Sequence, residues 1–160
     1  MRKYDVQRTI FRAVYGFLLL RLTVFRPGCF THGLASGRLN LTPGLAYRQL
    51  LSWHSYRAAA RLFFGNIAFF LPLGAALARW GKGLAAALRA GFLLSFAIEC
   101  AQFLLGSGLA ETDDLLLNTL GAGLGWGMYA LYARRKAARC GRVGKENPDG
   151  AVGDGDRTRI

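Results

Sequence analysis

The chain has 160 residues, 52% of them hydrophobic, with 21 glycines and a formal net charge of +12. That length suits one domain, and the charge by itself would suit a nucleic-acid binder. The basic residues, however, flank long apolar runs, where they would meet anionic headgroups and orient the chain, so nucleic acid is excluded as a partner and membrane lipids take its place.

In chain order, residues 1–8 form a basic start with Arg2, Lys3 and Arg8, read as a cytoplasmic N-terminus. The first apolar run, about 9–26, resembles a signal peptide. Arg12 and Arg21 interrupt it and no small-x-small site directly follows, so a retained first helix is expected. Three further runs, about 62–79, 84–105 and 114–132, each approach the ~20 residues that span a hydrocarbon core. With no ten-residue alternation to suggest a barrel, the expectation is an all-α membrane protein of about four transmembrane helices in a small bundle.

The loop between the first two runs carries Pro27, Gly28, Gly33, Gly37, Pro43 and Gly44. Its later part, Tyr47 to Arg61, mixes Leu50, Leu51, Trp53 and Tyr56 with three arginines. A helix lying in the interface and a solvated loop fit it equally. Asn40-Leu41-Thr42 fits a glycosylation sequon, a weak three-residue match. Past Tyr132, residues 133–160 read as a basic and then disordered cytoplasmic tail, the part from Glu146 having almost nothing to bury. Basic residues at the N-terminus, at Arg79, Lys82 and Arg89, and after Tyr132 place both termini in the cytoplasm. The first loop, with Arg26, Arg38, Arg48, Arg57 and Arg61, is the exception to that charge rule.

Between Arg8 and Lys145 the only acids are Glu99, Glu111, Asp113 and Asp114, all within sixteen positions. Glu99 lies inside an apolar run, where a carboxylate costs several kcal/mol unless paired, protonated or hydrated, and marks a functional site by default. Ser95 and Gln102 share its helix face. Asp114 opens the last helix, where its charge suits the helix dipole or a plain cap, and Asn118 follows one turn on. Counting depth at 1.5 Å per residue brings Asn66, Glu99, Gln102, Asp114 and Asn118 to one level of the outer leaflet, as a polar pocket open to the outside. The structural alternative treats these residues as interhelical glue, with Gly121 and Gly125, or Gly123 and Gly127, as a close-packing seam. Pro72, before Leu73 and Gly74, is expected to kink its helix and free the carbonyl of Ala68. Cys29, Cys100 and Cys140 have no metal-ligand spacing, and His32 and His54 are isolated, so neither a metal site nor a cofactor is expected.

Three segments resemble the VanZ-like membrane protein family: Asn66 with Phe70-Leu71-Pro72-Leu73-Gly74, Ile98-Glu99 with Gln102-Phe103, and Asp114 with Asn118-Thr119 and Gly121. Leu39-Asn40-Leu41-Thr42-Pro43 is similar to the segment that precedes the second helix there. The resemblance covers about residues 38–130 and implies a bacterial multi-pass envelope protein, with a role in glycopeptide (teicoplanin) resistance through its founding member. The family's polar motif positions fall on Asn66, Glu99, Gln102, Asp114 and Asn118. Many members carry an arginine about six residues before the aspartate; Gly108 stands there, so a role that needs that cation is not carried over.

The leading expectation is a non-enzymatic protein of the cytoplasmic membrane that binds a lipid-linked cell-wall component or a lipoglycopeptide at the five polar residues, flanked by the basic loop. A membrane hydrolase or transferase would instead use Glu99 and Asp114 as acid and base, or as oxygen ligands of a divalent cation. A proton-coupled carrier would use Glu99 alone.

Overall fold

The computed structural model describes residues 3–21, 38–106 and 109–146. The tail expected to be disordered, from 147 to 160, and the end of the first run with the start of the long loop, 22–37, lie outside the described residues. The fold is helical: α1 (Lys3–Leu19), α2 (Leu45–Ser52), α3 (Tyr56–Arg79), α4 (Leu84–Leu104) and α5 (Thr112–Glu146). Sequence patterning missed one pair of three-residue strands, β1 (Arg38–Asn40) and β2 (Leu109–Glu111), which pair in parallel with Asn40 opposite Glu111.

Of the described helices, α3 and α4 are long and apolar enough to cross a membrane. Only 17% and 22% of their most apolar windows are buried inside the fold, so most of that apolar surface faces outward. Phe64 and Leu93 are 65% and 63% exposed, whereas Phe70 is 1% exposed. Water would oppose such a surface and lipid would not. α1 has 17 residues and carries arginines, and the apolar part of α5 is diluted by Gly121, Gly123, Gly125 and Gly127.

The mixed stretch Tyr47 to Arg61 is neither one interfacial helix nor one loop. α2 ends at Ser52, His54 takes a left-handed φ of 54°, and α3 starts at Tyr56, six residues before the second apolar run. The Ser55 N–H donates to the Leu50 carbonyl (2.8 Å) and the His54 N–H to that of Leu51 (3.0 Å), a Schellman closure that reverses the chain. The same closure ends α3, where Gly81 has φ 74° and the Lys82 N–H reaches the Leu77 carbonyl at 2.9 Å. α3 runs unbroken through Pro72. The hydroxyl of Tyr15 on α1 donates to the Phe69 carbonyl (2.7 Å), beside the Ala68 carbonyl that a proline at 72 leaves without a helical donor.

α5 is the central strut. A Cβ on Gly121 would come 2.4 Å from the Ile67 carbonyl oxygen, one on Gly125 2.0 Å from that of Leu71, and one on Gly74 1.8 Å from that of Ala122. α3 and α5 thus run side by side in the same direction with their backbones nearly touching, which only glycine permits. A Cβ on Gly127 meets nothing within 4 Å, and one on Gly123 meets only the tip of Leu88. α4 runs the opposite way against α5, with Gly91 over Ala122 and Ser95 against Asn118. Leu19, Phe70, Ile98 and Ala122 form the core between α1 and these three helices.

The contacts put the start of α1, the α3–α4 turn and the end of α5 at one end of the bundle. The Trp126 indole donates to the Lys82 carbonyl (2.7 Å), and Tyr129 still faces Ala75, Ala76 and Arg79 near the end of α3, so it is the part of α5 past Tyr132 that overhangs the turn, by ~20 Å. Sequence reading stopped this helix at 132. Arg134, Arg135, Lys136 and Arg139 are exposed helical positions rather than tail, because straight-chain and alanine residues continue a helix well in water.

Candidate functional site

The acids gather at the other end, where β1, β2, α2 and the helix ends meet. α5 begins at Thr112, so Asp113 and Asp114 sit in its first turn, near the positive end of its dipole, and Asp114 is not the cap. The amide of Asn66 on α3 donates to Oδ1 of Asp114, tying those helices together above the glycine seam. The Asp113 carboxylate accepts the Gly44 N–H with both oxygens (3.0 and 2.8 Å) and so fixes the start of α2, where Gly44 takes φ 73°.

Glu99 is 8% exposed, and its Oε2 accepts the backbone N–H of Glu111 at 2.9 Å. This bond joins α4 to β2. Glu111, also 8% exposed, accepts at Oε1 from Nδ2 of Asn40 (3.0 Å). Asn40 Oδ1 in turn accepts the Thr42 N–H at 3.2 Å, an Asx-type turn at the end of β1. The sequon match is therefore a structural asparagine whose amide nitrogen bonds a buried carboxylate. One turn deeper, the Asn118 amide donates to the Ser95 hydroxyl at 2.8 Å, while the Asn118 Oδ1 atom is buried with no hydrogen-bond partner among the described residues. Gln102 is buried on the Glu99 face of α4, one turn nearer the helix end.

Of the five residues selected by sequence, Asn66 and Asp114 meet directly. Glu99 and Asn118 meet other partners, Glu111 and Ser95, and Gln102 lies on the same wall. The spread is two levels rather than one, because α3 and α5 are in register through Ile67 and Gly121 while Asn118 stacks against Ser95 on α4. Asn40, Gly44, Glu111 and Asp113 were missed as site residues. The signal was present in the confinement of all four acids to sixteen positions, but pairing them with the loop requires the β1–β2 register.

Tyr47 of α2 completes the site. Its ring packs edge-on against Phe63 (centroids 6.3 Å apart), and its hydroxyl is buried with no hydrogen-bond partner among the described residues. Burial pushes its pKa up to about 12, helped by the charges of Asp114, Asp113 and Glu111 in that order. The phenol is thus a neutral donor held in a negative field.

Beside Glu99 lies a cavity of about 300 Å³, walled by Leu39 and Ala110 of the strands and by Phe96, Cys100, Phe103 and Leu104 of α4. Apart from Glu99 its wall is apolar or thiol. Among the described residues no three His, Cys, Asp or Glu side chains converge to hold a metal ion.

Apolar helices that turn Phe and Leu outward, closed at one end by a buried polar interlock, define a helical membrane protein. The chain belongs to the VanZ/LLP1 family, whose model matches residues 11–133. Comparison with curated proteins and with solved structures gave no match.

Proposed function

We propose that this protein is a non-enzymatic, four-span envelope protein of the bacterial cytoplasmic membrane, with both termini cytoplasmic. It takes up the acyl chain of a lipid-linked cell-wall component or a lipoglycopeptide in the cavity beside Glu99. The observation that carries the reading is the position of that cavity, an apolar slot against α4 at the edge of the acidic interlock. Hydrocarbon would enter between Phe96, Phe103 and Leu104, leaving the polar part of the ligand at the outer end, near Asn66, Glu99, Gln102, Asp114 and Asn118. A role in glycopeptide resistance would follow from capture of an acylated glycopeptide such as teicoplanin.

Cys100 lines the slot, which gives a direct assay. In the reconstituted full chain, an acylated glycopeptide should slow alkylation of Cys100, read by peptide mass spectrometry, and the deacylated compound should not. Equal protection by both, or by neither, overturns the reading. Glu99→Gln and Asp114→Asn, followed by thermal stability and by protection together, decide what the acids do. Unchanged stability with lost protection supports a charged recognition site. Full protection at unchanged stability reduces the acids to scaffolding, and turnover of an added lipid-linked substrate, abolished by both changes, would favour the hydrolase reading.

A further inference from the structure

The opposite end of the bundle holds a larger cavity, of about 460 Å³, between α1 on one side and α3 and α4 on the other. Its rim carries Arg8, Arg12 and Lys82 around Trp80. Each guanidinium lies 5.7 Å from the Trp80 ring centroid. Arg8 and Arg12 are four residues apart on one helix face, where like charges repel. No residue lining the cavity is acidic. Away from the rim the walls become hydrocarbon: Leu77 and Leu73 on α3, then Leu94 and Ile98 on α4. At 1.5 Å per residue, Leu73 lies ~10 Å from Trp80 and Ile98 ~20 Å from the start of α4, a depth that suits an acyl chain. Cations at one end and hydrocarbon beyond are the complement of an anionic amphiphile, and basic pockets between membrane helices recognise anionic lipid headgroups in this way.

We infer that this groove is a binding site for one anionic phospholipid of the leaflet facing the basic end. Arg8, Arg12 and Lys82 hold its phosphate, and an acyl chain lies along Leu77, Leu73, Leu94 and Ile98. The lipid fills the gap that leaves α1 attached mainly through Tyr15, Leu19 and the Trp80 contacts, so it acts as a wedge between the first helix and the rest.

The test uses the purified full chain and native mass spectrometry of lipid adducts, with phosphatidylglycerol and phosphatidylcholine as probes. Wild type should retain phosphatidylglycerol preferentially. Each cation near an anionic headgroup is worth roughly fivefold in affinity, so Arg8→Gln/Arg12→Gln should lose about 25-fold for phosphatidylglycerol and little for phosphatidylcholine. Arg134→Gln/Arg135→Gln removes the same charge from the exposed overhang of α5 and should keep the preference. An equal loss in this control, or none in the first variant, overturns the proposal. A second variant leaves the cations in place. A side chain added at Gly16, which lines the groove, meets nothing within 4 Å, so Gly16→Leu should fold and displace the lipid. Gly16→Leu retaining phosphatidylglycerol as wild type does would also overturn it.

Discussion

At one end of the bundle Glu99, Glu111, Asp113 and Asp114 are each tied to a backbone N–H or an amide across an element boundary, above helices whose backbones touch. At the other, Arg8, Arg12 and Lys82 surround Trp80 over an open groove whose lining holds no acid. The first arrangement is self-sufficient: each bond to a carboxylate links two elements that the chain would otherwise leave apart, and desolvation makes each expensive to lose. The second has less packing, and its cations border an open cavity with no acid in its lining. At the acidic end the matched carboxylates fix the elements around the slot beside Glu99, while at the basic end the cations beside their own slot attract an anionic headgroup directly.

The sharpest way to break this contrast is at two glycines. Gly125→Ala must push its Cβ through the contact with Leu71 and should cost about 3 kcal/mol, the upper range for overpacking. Gly16→Ala, in open space, should instead gain up to about 1 kcal/mol from helix propensity. Thermal denaturation in detergent checks both. Similar shifts would mean that the α3–α5 seam is no tighter than the α1 groove.

A smaller difference is expected between charges. Asp113→Ala frees the Gly44 N–H and should cost about 2 kcal/mol, as for a hydrogen bond to a charged group. Proteolytic cleavage near α2 should rise with it. Arg12→Gln, at the basic end, should change stability by no more than about 0.5 kcal/mol. Between these two lies Asn118→Ala, expected at about 1 kcal/mol, because hydrogen bonds between membrane helices are modest.

The legible and illegible parts divide along the same line. The apolar runs at α3 and α4 could be read because twenty outward-facing apolar residues have few other uses. Gly121 and Gly125 could be named as a seam, but choosing them over Gly123 and Gly127 required the helix phase relative to Ile67 and Leu71. Glu99 stood out because a carboxylate in an apolar run is costly, and its partner did not, since a backbone N–H leaves no mark in sequence. The strand pair was invisible: three residues each, paired in parallel across two intervening long helices, carry no alternation long enough to detect. The helical overhang of α5 was hidden by its charge, which is read equally well as a solvated tail.

The subtlest expectation concerns Tyr47, the one described donor at the acidic end whose hydroxyl has no hydrogen-bond partner. Its folded pKa of about 12 lies above the ordinary value of 10, so the folded protein holds the phenolic proton more tightly than the unfolded chain does. The stabilisation tied to that proton is fully present below pH 10 and is lost as pH rises through 12, where the phenolate would face Asp114, Asp113 and Glu111. Tyr47→Phe removes the titration and keeps the ring against Phe63, so near neutral pH it should alter stability by less than about 0.5 kcal/mol. Between pH 10 and 12 the variant should lose less stability than the parent, and the ultraviolet phenolate signal should lose its highest-pH component. A parallel decline in both proteins would mean that neither burial nor the nearby acids shift the Tyr47 phenol, and that the interlock is confined to the bonds already counted.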